Sequence, residues 1–252
     1  MEGARPVEAL EKLKKEVARG SRVVSLNGLT SIAAKAFVLS KLQSGTAKTF
    51  VLVTGTNKDL DLFQNDLLFF RSQIEVQSSQ ILSLPSFETD TYSGASPHAE
   101  TLERRALTLW NLVNGPTDFL LLSVRSIVTR TVRPAELRSL GAFIKRDEEF
   151  PLDELTNRLA ASGYVREEPL TNVGQFSMRG GIVDVWSPDA AAPVRMEFFG
   201  DTVDSIREFD PETQLSTRQL AEVSFAPMRE FTATQQYLRE WAVLAGERVA
   251  DP

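Results

Sequence analysis

The sequence predicts an α/β chain: a parallel-sheet domain with a small antiparallel, β-rich α+β domain inserted into it. Up to about residue 132, short continuously apolar runs alternate with amphipathic helical stretches, which is typical of parallel strands covered on both faces. From residue 174 onward, apolar and polar residues alternate in blocks separated by Gly or Pro, which is typical of antiparallel strands. The 252 residues are enough for two modest domains with buried cores.

The elements of the first domain follow from apolar spacing and turn residues. A helix is predicted at residues 6–19, where apolar residues recur at helical spacing and Gly20 follows as a cap. The next elements are predicted to be a strand at 22–26, a helix at 32–42, a strand at 49–54, a helix at 58–70, a strand at 81–84, a helix at 99–112 and a strand at 119–124. This alternation predicts one parallel layer.

A domain boundary is predicted at the turn Arg133-Pro134. A helix at 152–162 follows, opened by acidic residues that suit a helix N-terminus. The remaining elements are predicted to be three antiparallel strands in the blocks 174–186, 193–201 and 203–210, then a strand at 222–227 and a helix at 234–245.

Charged residues within these strands define a face of the predicted sheet. Arg195 and Glu197 are two residues apart in one strand, so both project from the same side. Arg179 precedes the pair Gly180-Gly181, where the absence of Cβ permits a bulge or a close backbone approach. Two interpretations remain open: an ordinary half-solvated sheet, or a charged recognition face.

The segment before the second predicted helix has the setting of a phosphate-binding loop, because a strand, a loop and a helix follow one another. A working loop needs a second glycine, a lysine and a hydroxyl residue. Counted from Gly28, these positions hold Ala33, Ala34 and Lys35, and a one-residue shift that restored Lys35 would still leave Ala36 after it. The loop is therefore predicted not to bind nucleotide.

Composition narrows the classes of function. The chain has no cysteine and a single histidine, which excludes disulfides and cysteine-ligated metal and leaves little for a histidine-based site. Its formal charge is −6, without a Lys/Arg block, so a protein partner is favoured over nucleic acid. No apolar run approaches the roughly 18 residues of a membrane span, and we expect a soluble cytoplasmic chain without metal or cofactor.

The strand region carries a long ordered series of motifs. Between residues 174 and 214 it reads Gly-x-Phe-Ser-x-Arg-Gly-Gly-Ile-Val-Asp-Val, Arg-x-Glu-Phe-Phe-Gly-Asp and Asp-Ser-Ile-Arg-x-Phe-Asp-Pro-x-Thr-Gln. This series resembles the module shared by the excision-repair helicase UvrB and the bacterial transcription-repair coupling factors, and its ending resembles the latter. The loop at residues 85–98 is also similar, with Phe87 where tryptophan is common.

The resemblance implies a domain organisation and a partner. Residues 1–132 would be a helicase-like domain with a decayed nucleotide loop, 133–211 a UvrA-interaction domain, and 212–252 a segment returning to the first domain. In the family, contacts to UvrA correspond here to Arg166, Phe176, Arg179, Arg195 and Glu197. Ser177 departs from the helicase, which has arginine there. RNA polymerase and double-stranded DNA would be bound by other domains of a full-length translocase.

Three functions are compatible with the sequence. The first is a non-enzymatic adaptor that binds UvrA and recruits nucleotide excision repair to stalled RNA polymerase. The second is a helicase-type ATPase acting on DNA, which would require the intact phosphate loop that the sequence lacks. The third is an autoinhibitory role in which another part of the full-length protein covers the sheet, and it does not exclude the first.

Overall fold

A computed structural model of the chain describes residues 6–73, 80–89, 96–232, 239–240 and 242–246. The chain divides into two compact units. The first unit takes the chain up to residue 86 and residues 116–128, and the second takes residues 87–115 and the chain from residue 129. Among the described helices, none is both long enough and apolar enough to cross a membrane.

The first unit is built on a parallel sheet. Its strands, β1 (Phe50–Thr54), β2 (Ile81–Leu84) and β3 (Phe119–Ser123), lie in the order β1-β3-β2. Its helices are α1 (Pro6–Ala18), α2 (Ile32–Gln43), α3 (Asn57–Ser72) and α5 (Val124–Val128). The core is formed by Ala36, Leu60, Phe63, Leu67, Phe119 and Leu121. These strands confirm the predicted parallel pairing.

The strand predicted at residues 22–26 is wrong. These residues lie outside the described helices and strands, and the side chain of Val23 is 81% exposed. A short apolar run becomes a strand only when a neighbouring strand satisfies its backbone hydrogen bonds. Within the described residues β1 pairs with β3 alone, so the run at 22–26 has no such neighbour.

The second unit contains a six-stranded sheet in the order β10-β9-β8-β7-β6-β5. Its strands are β5 (Val165–Arg166), β6 (Gln175–Arg179), β7 (Ile182–Val185), β8 (Val194–Phe199), β9 (Thr202–Phe209) and β10 (Ser216–Gln219). All neighbours are antiparallel except β5 and β6. The first predicted strand block is therefore two strands, because Gly180, with φ of +59°, turns the chain between β6 and β7.

The close backbone approach predicted at Gly180-Gly181 is confirmed. A Cβ added to Gly181 would lie 2.6 Å from the carbonyl oxygen of Phe198. The Phe198 amide also donates a hydrogen bond of 2.7 Å to the Gly181 carbonyl. A side chain at residue 181 would therefore push β8 away from the end of β7.

Helices and a two-stranded sheet complete the second unit. The helices are α4 (Ala99–Asn114), α6 (Pro134–Leu140) and α7 (Leu152–Ala161), and the small sheet pairs β4 (Ala142–Lys145) with β11 (Glu222–Phe225). Leu155 and Leu159 of α7 and Phe225 of β11 share one core with the six-stranded sheet. The helix predicted at 234–245 lies partly outside the described residues, and 239–240 and 242–246 are helical.

A buried tyrosine, Tyr164, follows α7 and is hydrogen-bonded to the segment after β11. The Tyr164 hydroxyl donates a hydrogen bond of 2.6 Å to the Ala226 carbonyl and lies 3.0 Å from Ser187 Oγ. Burial raises the pKa of Tyr164, so the hydroxyl remains protonated and able to donate. The Ala226 amide in turn donates to Ser187 Oγ. The three groups therefore form a closed polar network inside the apolar core.

Tyr164→Phe is expected to lower the free energy of unfolding by about 1–2 kcal/mol, because the buried Ala226 carbonyl loses its donor. Urea denaturation followed by circular dichroism measures the change. Ser224→Ala serves as the control, since its hydroxyl bonds an exposed carboxylate at 3.1 Å and should contribute much less. An equal effect of both substitutions would contradict a structural role for the tyrosine network.

Candidate partner-binding face

One face of the six-stranded sheet carries the polar residues of its central strands. Strand register places two rows of side chains across this face, which we call the polar face. The first row is Ser177, Asp184, Arg195 and Arg207, and the second is Arg179, Ile182, Glu197 and Ser205. The opposite face packs on the core through residues such as Val183, Met196 and Ile206. The predicted common face of Arg195 and Glu197 is therefore confirmed.

Asp184 and Arg195 form the centre of the polar face. Asp184 is 2% exposed. Arg195 donates two parallel hydrogen bonds to it, from Nε to Oδ1 at 2.7 Å and from Nη2 to Oδ2 at 2.8 Å. The hydrogen bond from this guanidinium to Asp184 raises the pKa of Arg195 above its ordinary value. Such bidentate pairing is the strongest geometry available to arginine and a carboxylate.

Arg195 is also held by residues beyond Asp184. Its Nη2 donates to Gln214 Oε1 at 2.9 Å, and its guanidinium carbon lies 4.5 Å from the centre of the Phe209 ring. The turn that positions Gln214 is stabilised by Asp210. Hydrogen bonds from the Thr213 backbone lower the pKa of Asp210 below its ordinary value. With 16% of its side chain exposed, Arg195 offers a partner little surface. Its direct contact with a partner stays a prediction.

Arg179 has a different environment from Arg195. Half of its side chain is exposed, 51% by area. Its ion pairs are long: Nη2 lies 3.5 Å from Asp184 Oδ2, and Nε lies 3.5 Å from Glu168 Oε1. Since Glu168 is itself exposed, these contacts orient the guanidinium without saturating its five donors. Arg179 can therefore donate to a carboxylate on another molecule.

Arg166 lies at the edge of the sheet. Its register partner is Phe176, so its Cβ projects toward the core side and not toward the polar face. The exposed guanidinium reaches the neighbouring strand, where Nη2 donates to the Met178 carbonyl at 3.2 Å. Met178 directly precedes Arg179. The structure thus brings Arg166 beside the strand segment that carries Arg179.

Glu197 is half-exposed on the second row of the polar face. It forms an ion pair with Arg207, and Ser205 Oγ donates to its Oε2 at 3.1 Å. Both partners come from β9, the neighbouring strand. The carboxylate is therefore fixed in direction while part of it remains open to solvent.

Phe176 points into the molecule. It is 4% exposed and belongs to the core cluster of the second unit. The ring packs beneath β6, because the alternation of the strand turns residue 176 to the face opposite Arg179. The role of Phe176 as an apolar contact of the partner stays a prediction.

Sequence reasoning missed Asp184, Arg207 and Gln214. Asp184 is flanked by Val183 and Val185, and period two places it on the face opposite those two valines. This signal was available from the sequence and places Asp184 on the polar face. Nothing in the sequence, however, pairs Asp184 with one particular arginine, nor Gln214 with Arg195, since both pairings join residues of different strands and turns.

Most of the residues that were compared with a phosphate-binding loop lie inside a helix. Ala33, Ala34 and Lys35 belong to the first turn of α2, and Ser31 caps this helix by accepting a hydrogen bond of 3.2 Å from the Ala34 amide. Gly28 precedes it with φ of +90°. The segment therefore has a capped helix where a phosphate loop would present consecutive free amides.

The second unit also matches a known domain family. Residues 143–231, from β4 to the end of the segment after β11, match the family model described as the UvrB interaction domain. The matched segment includes the whole six-stranded sheet and its polar face.

The chain is similar to transcription-repair-coupling factors over most of its length. It is 36% identical to that of Myxococcus xanthus over 236 residues, 92% of this chain and 19% of that protein. It is 31% identical to that of Haemophilus influenzae over 157 residues, 62% of this chain and 14% of that protein. With that of Staphylococcus haemolyticus, the identity is 29% over 221 residues, 87% of this chain and 18% of that protein.

These similarities confirm the resemblance seen in the sequence motifs. The chain spans about a fifth of the length of these relatives or less. The UvrB interaction domain is the part of the chain for which a separate family model matches as well.

Proposed function

We propose that this chain is a non-enzymatic adaptor module of a transcription-repair coupling factor. It binds UvrA and thereby recruits nucleotide excision repair to RNA polymerase stalled at DNA damage. The observation that carries this proposal is the match of residues 143–231 to the UvrB interaction domain. It is supported by the similarity to transcription-repair-coupling factors over 92% of the chain and by a polar face with arginine donors left available.

Direct contact with UvrA is assigned to Arg166, Arg179 and Glu197, which remain exposed or half-exposed. The planar fork of arginine binds carboxylates bidentately and stays charged at any working pH. Glu197 supplies one charge of the opposite sign, which fixes the orientation of the partner. Arg195 and Phe176 are assigned supporting roles, since the first holds Asp184 and the second fills the core beneath β6.

The remainder of the chain is given roles that follow from the same relatives. Residues 1–132 are a helicase-like domain whose decayed nucleotide loop binds no ATP and needs no cofactor. The interaction domain is assigned to residues 133–211, and residues 212–252 to a segment that returns to the first domain. The pairing of β11 with β4 and the family match to residues 143–231 favour extending the interaction domain to residue 231. Binding of RNA polymerase and double-stranded DNA is assigned to other regions of the full-length translocase, which acts in the cytoplasm.

Arg179→Ala is expected to weaken UvrA binding by about 30-fold, because truncating one partner of an interfacial charge pair costs roughly 2 kcal/mol or more. Isothermal titration calorimetry with purified UvrA measures the change. Arg218→Ala is the matched control: its arginine is exposed on β10 and pairs with Glu208 of its own chain. The unfolding midpoint of both variants should remain close to that of the original chain.

The two affinities together test whether Arg179 belongs to the interface with UvrA. Loss of affinity in Arg179→Ala but not in Arg218→Ala supports the proposed face. Unchanged affinity in both variants, with UvrA still bound by the original chain, would move the interface elsewhere on the molecule. Failure of the original chain to bind UvrA at all would contradict the adaptor function itself.

A further inference from the structure

An open groove borders the polar face where β7 begins and where β8 and β9 meet in a hairpin. Its volume is about 410 Å³, and it is lined by Gly181, Ile182, Glu197, Phe198, Phe199 and Asp204. Apolar side chains and two carboxylates therefore share one depression. Ile182 and Glu197 also belong to the second row of the polar face, directly beside Arg179.

A bulge in β9 provides the second carboxylate. Glu197 pairs with Ser205 and Phe198 pairs with Val203, so Asp204 is an extra residue on β9. Val203 and Ile206 are both buried, while Asp204 is exposed. A regular strand would alternate strictly, and the bulge re-aims the extra side chain instead. Among the described residues, the side chain of Asp204 has no hydrogen-bond or ion-pair partner.

An aromatic ring stands at the other side of the groove. Phe199 is 86% exposed, at the end of β8. Gly200 follows with φ of +62°, the left-handed conformation that a two-residue hairpin turn requires at its first central position. Gly181 allows the backbone of β8 to approach closely at this edge of the groove, because a Cβ there would meet the Phe198 carbonyl oxygen at 2.6 Å.

We propose that this groove receives a lysine or arginine side chain of the protein partner. The inference rests on the proposed function and extends its interface beyond the arginines of the polar face. The aliphatic stem of such a side chain fits against Ile182 and the Phe199 ring, where a cation gains from the aromatic face. Its charged end lies between Glu197 and Asp204, whose carboxylates complement it.

The charges around the groove favour this occupant over an acidic one. Arg207 already balances Glu197, so Asp204 supplies the charge that is left without a counterion within the described residues. A carboxylate of the partner would be repelled by Asp204 and has Arg179 available next to the groove. The interface thus presents donors for an acidic group and, beside them, a receptor for a basic one. This alternation fixes the register of the partner.

The test measures UvrA binding by calorimetry for Asp204→Lys and Phe199→Ala. Asp204→Lys is expected to lower the affinity by about 10- to 100-fold, and Phe199→Ala by about 5- to 10-fold. Matched controls are Asp153→Lys, which reverses an exposed acidic residue on α7, and Val128→Ala, which truncates a side chain that is 80% exposed. Both controls should bind as the original chain does, and thermal unfolding should show that all four variants are folded at the temperature of the binding measurement. Asp153→Lys should unfold at a slightly lower temperature, because Asp153 lies in the first turn of α7, where an acidic residue is favourable.

The outcomes distinguish an error in the groove assignment from an error in the proposed adaptor function. If the original chain binds UvrA and Arg179→Ala weakens it while Asp204→Lys and Phe199→Ala do not, the groove assignment is overturned and the adaptor function stands. Tighter binding by Asp204→Lys also overturns it, because the occupant is then acidic. If the original chain dimerises in sedimentation and Phe199→Ala abolishes the dimer, the occupant is a second copy. If the original chain does not bind UvrA, both the adaptor function and the groove assignment are contradicted.

Discussion

Arg195→Ala is expected to lower the free energy of unfolding by about 3 kcal/mol. The substitution leaves Asp184, 2% exposed, without its bidentate partner. Breaking a buried ion pair by removing one member typically costs about 3–5 kcal/mol, because the remaining charge stays buried and uncompensated. We place the effect at the lower end since Arg179 lies 3.5 Å from the same carboxylate. Urea denaturation measures the change.

Two controls test the physical reason. Arg179→Ala removes an arginine that shares the same carboxylate, but its side chain is half-exposed and its contact is long, so a loss below about 1 kcal/mol is expected. Asp184→Asn combined with Arg195→Ala should recover part of the stability lost in Arg195→Ala, because no unpaired carboxylate remains. Equal losses in the two arginine variants would show that Arg195 is not the principal partner of Asp184.

The two arginines also differ in their expected effect on binding. Measured well below its unfolding temperature, Arg195→Ala should weaken UvrA binding less than Arg179→Ala, since Arg195 acts through Asp184. The sequence motifs alone assign both arginines the same role. Stability and affinity together distinguish the side chain that supports the face from the side chain that contacts the partner.

The alternation of the strands predicted correctly that Arg195 and Glu197 lie on the same face of the sheet. Period two is a property of the backbone, so the common side of Arg195 and Glu197 could be inferred without knowing the neighbouring strands. The same rule places Phe176 on the core side, opposite Arg179. The contact role of Phe176 was taken from the family resemblance, and the alternation alone does not assign it.

The burial of Arg195 could not be predicted in the same way. It depends on Asp184 from β7, on Phe209 from the end of β9 and on Gln214 from the turn that follows. Gln214 adopts a φ of +61°, a left-handed conformation that is uncommon for a residue other than glycine. No local pattern specifies that these three groups converge on one guanidinium.

In the first unit, hydrophobicity alone was not enough to predict every strand. Continuously apolar runs predicted β1, β2 and β3 correctly, because each of them has a parallel neighbour. The run at 22–26 has similar composition but lacks a described neighbour, and it forms no strand. Hydrophobicity indicates that a segment is suited to burial, whereas strand formation also requires a hydrogen-bonding partner that is distant in sequence.

Arg105 of α4 is a buried arginine. Its side chain is 0% exposed. Its Nε donates to Glu230 Oε1 at 2.8 Å and its Nη2 to Oε2 at 3.2 Å, while the guanidinium carbon lies 4.2 Å from the centre of the Phe87 ring. The pair joins residues 125 positions apart. It joins α4 to the end of the segment that matches the UvrB interaction domain.

Arg105→Met is therefore expected to lower the free energy of unfolding of the second unit by about 3–5 kcal/mol, because Glu230 remains buried without its cation. Arg105→Lys should recover only part of the loss, since an ammonium group cannot reproduce the bidentate fork or its stacking on Phe87. The neighbouring Arg104→Met is the matched control, with an expected loss below about 1 kcal/mol because Arg104 is only partly buried. Urea denaturation compares all three, and similar unfolding midpoints for Arg105→Met and Arg104→Met would contradict the buried ion pair.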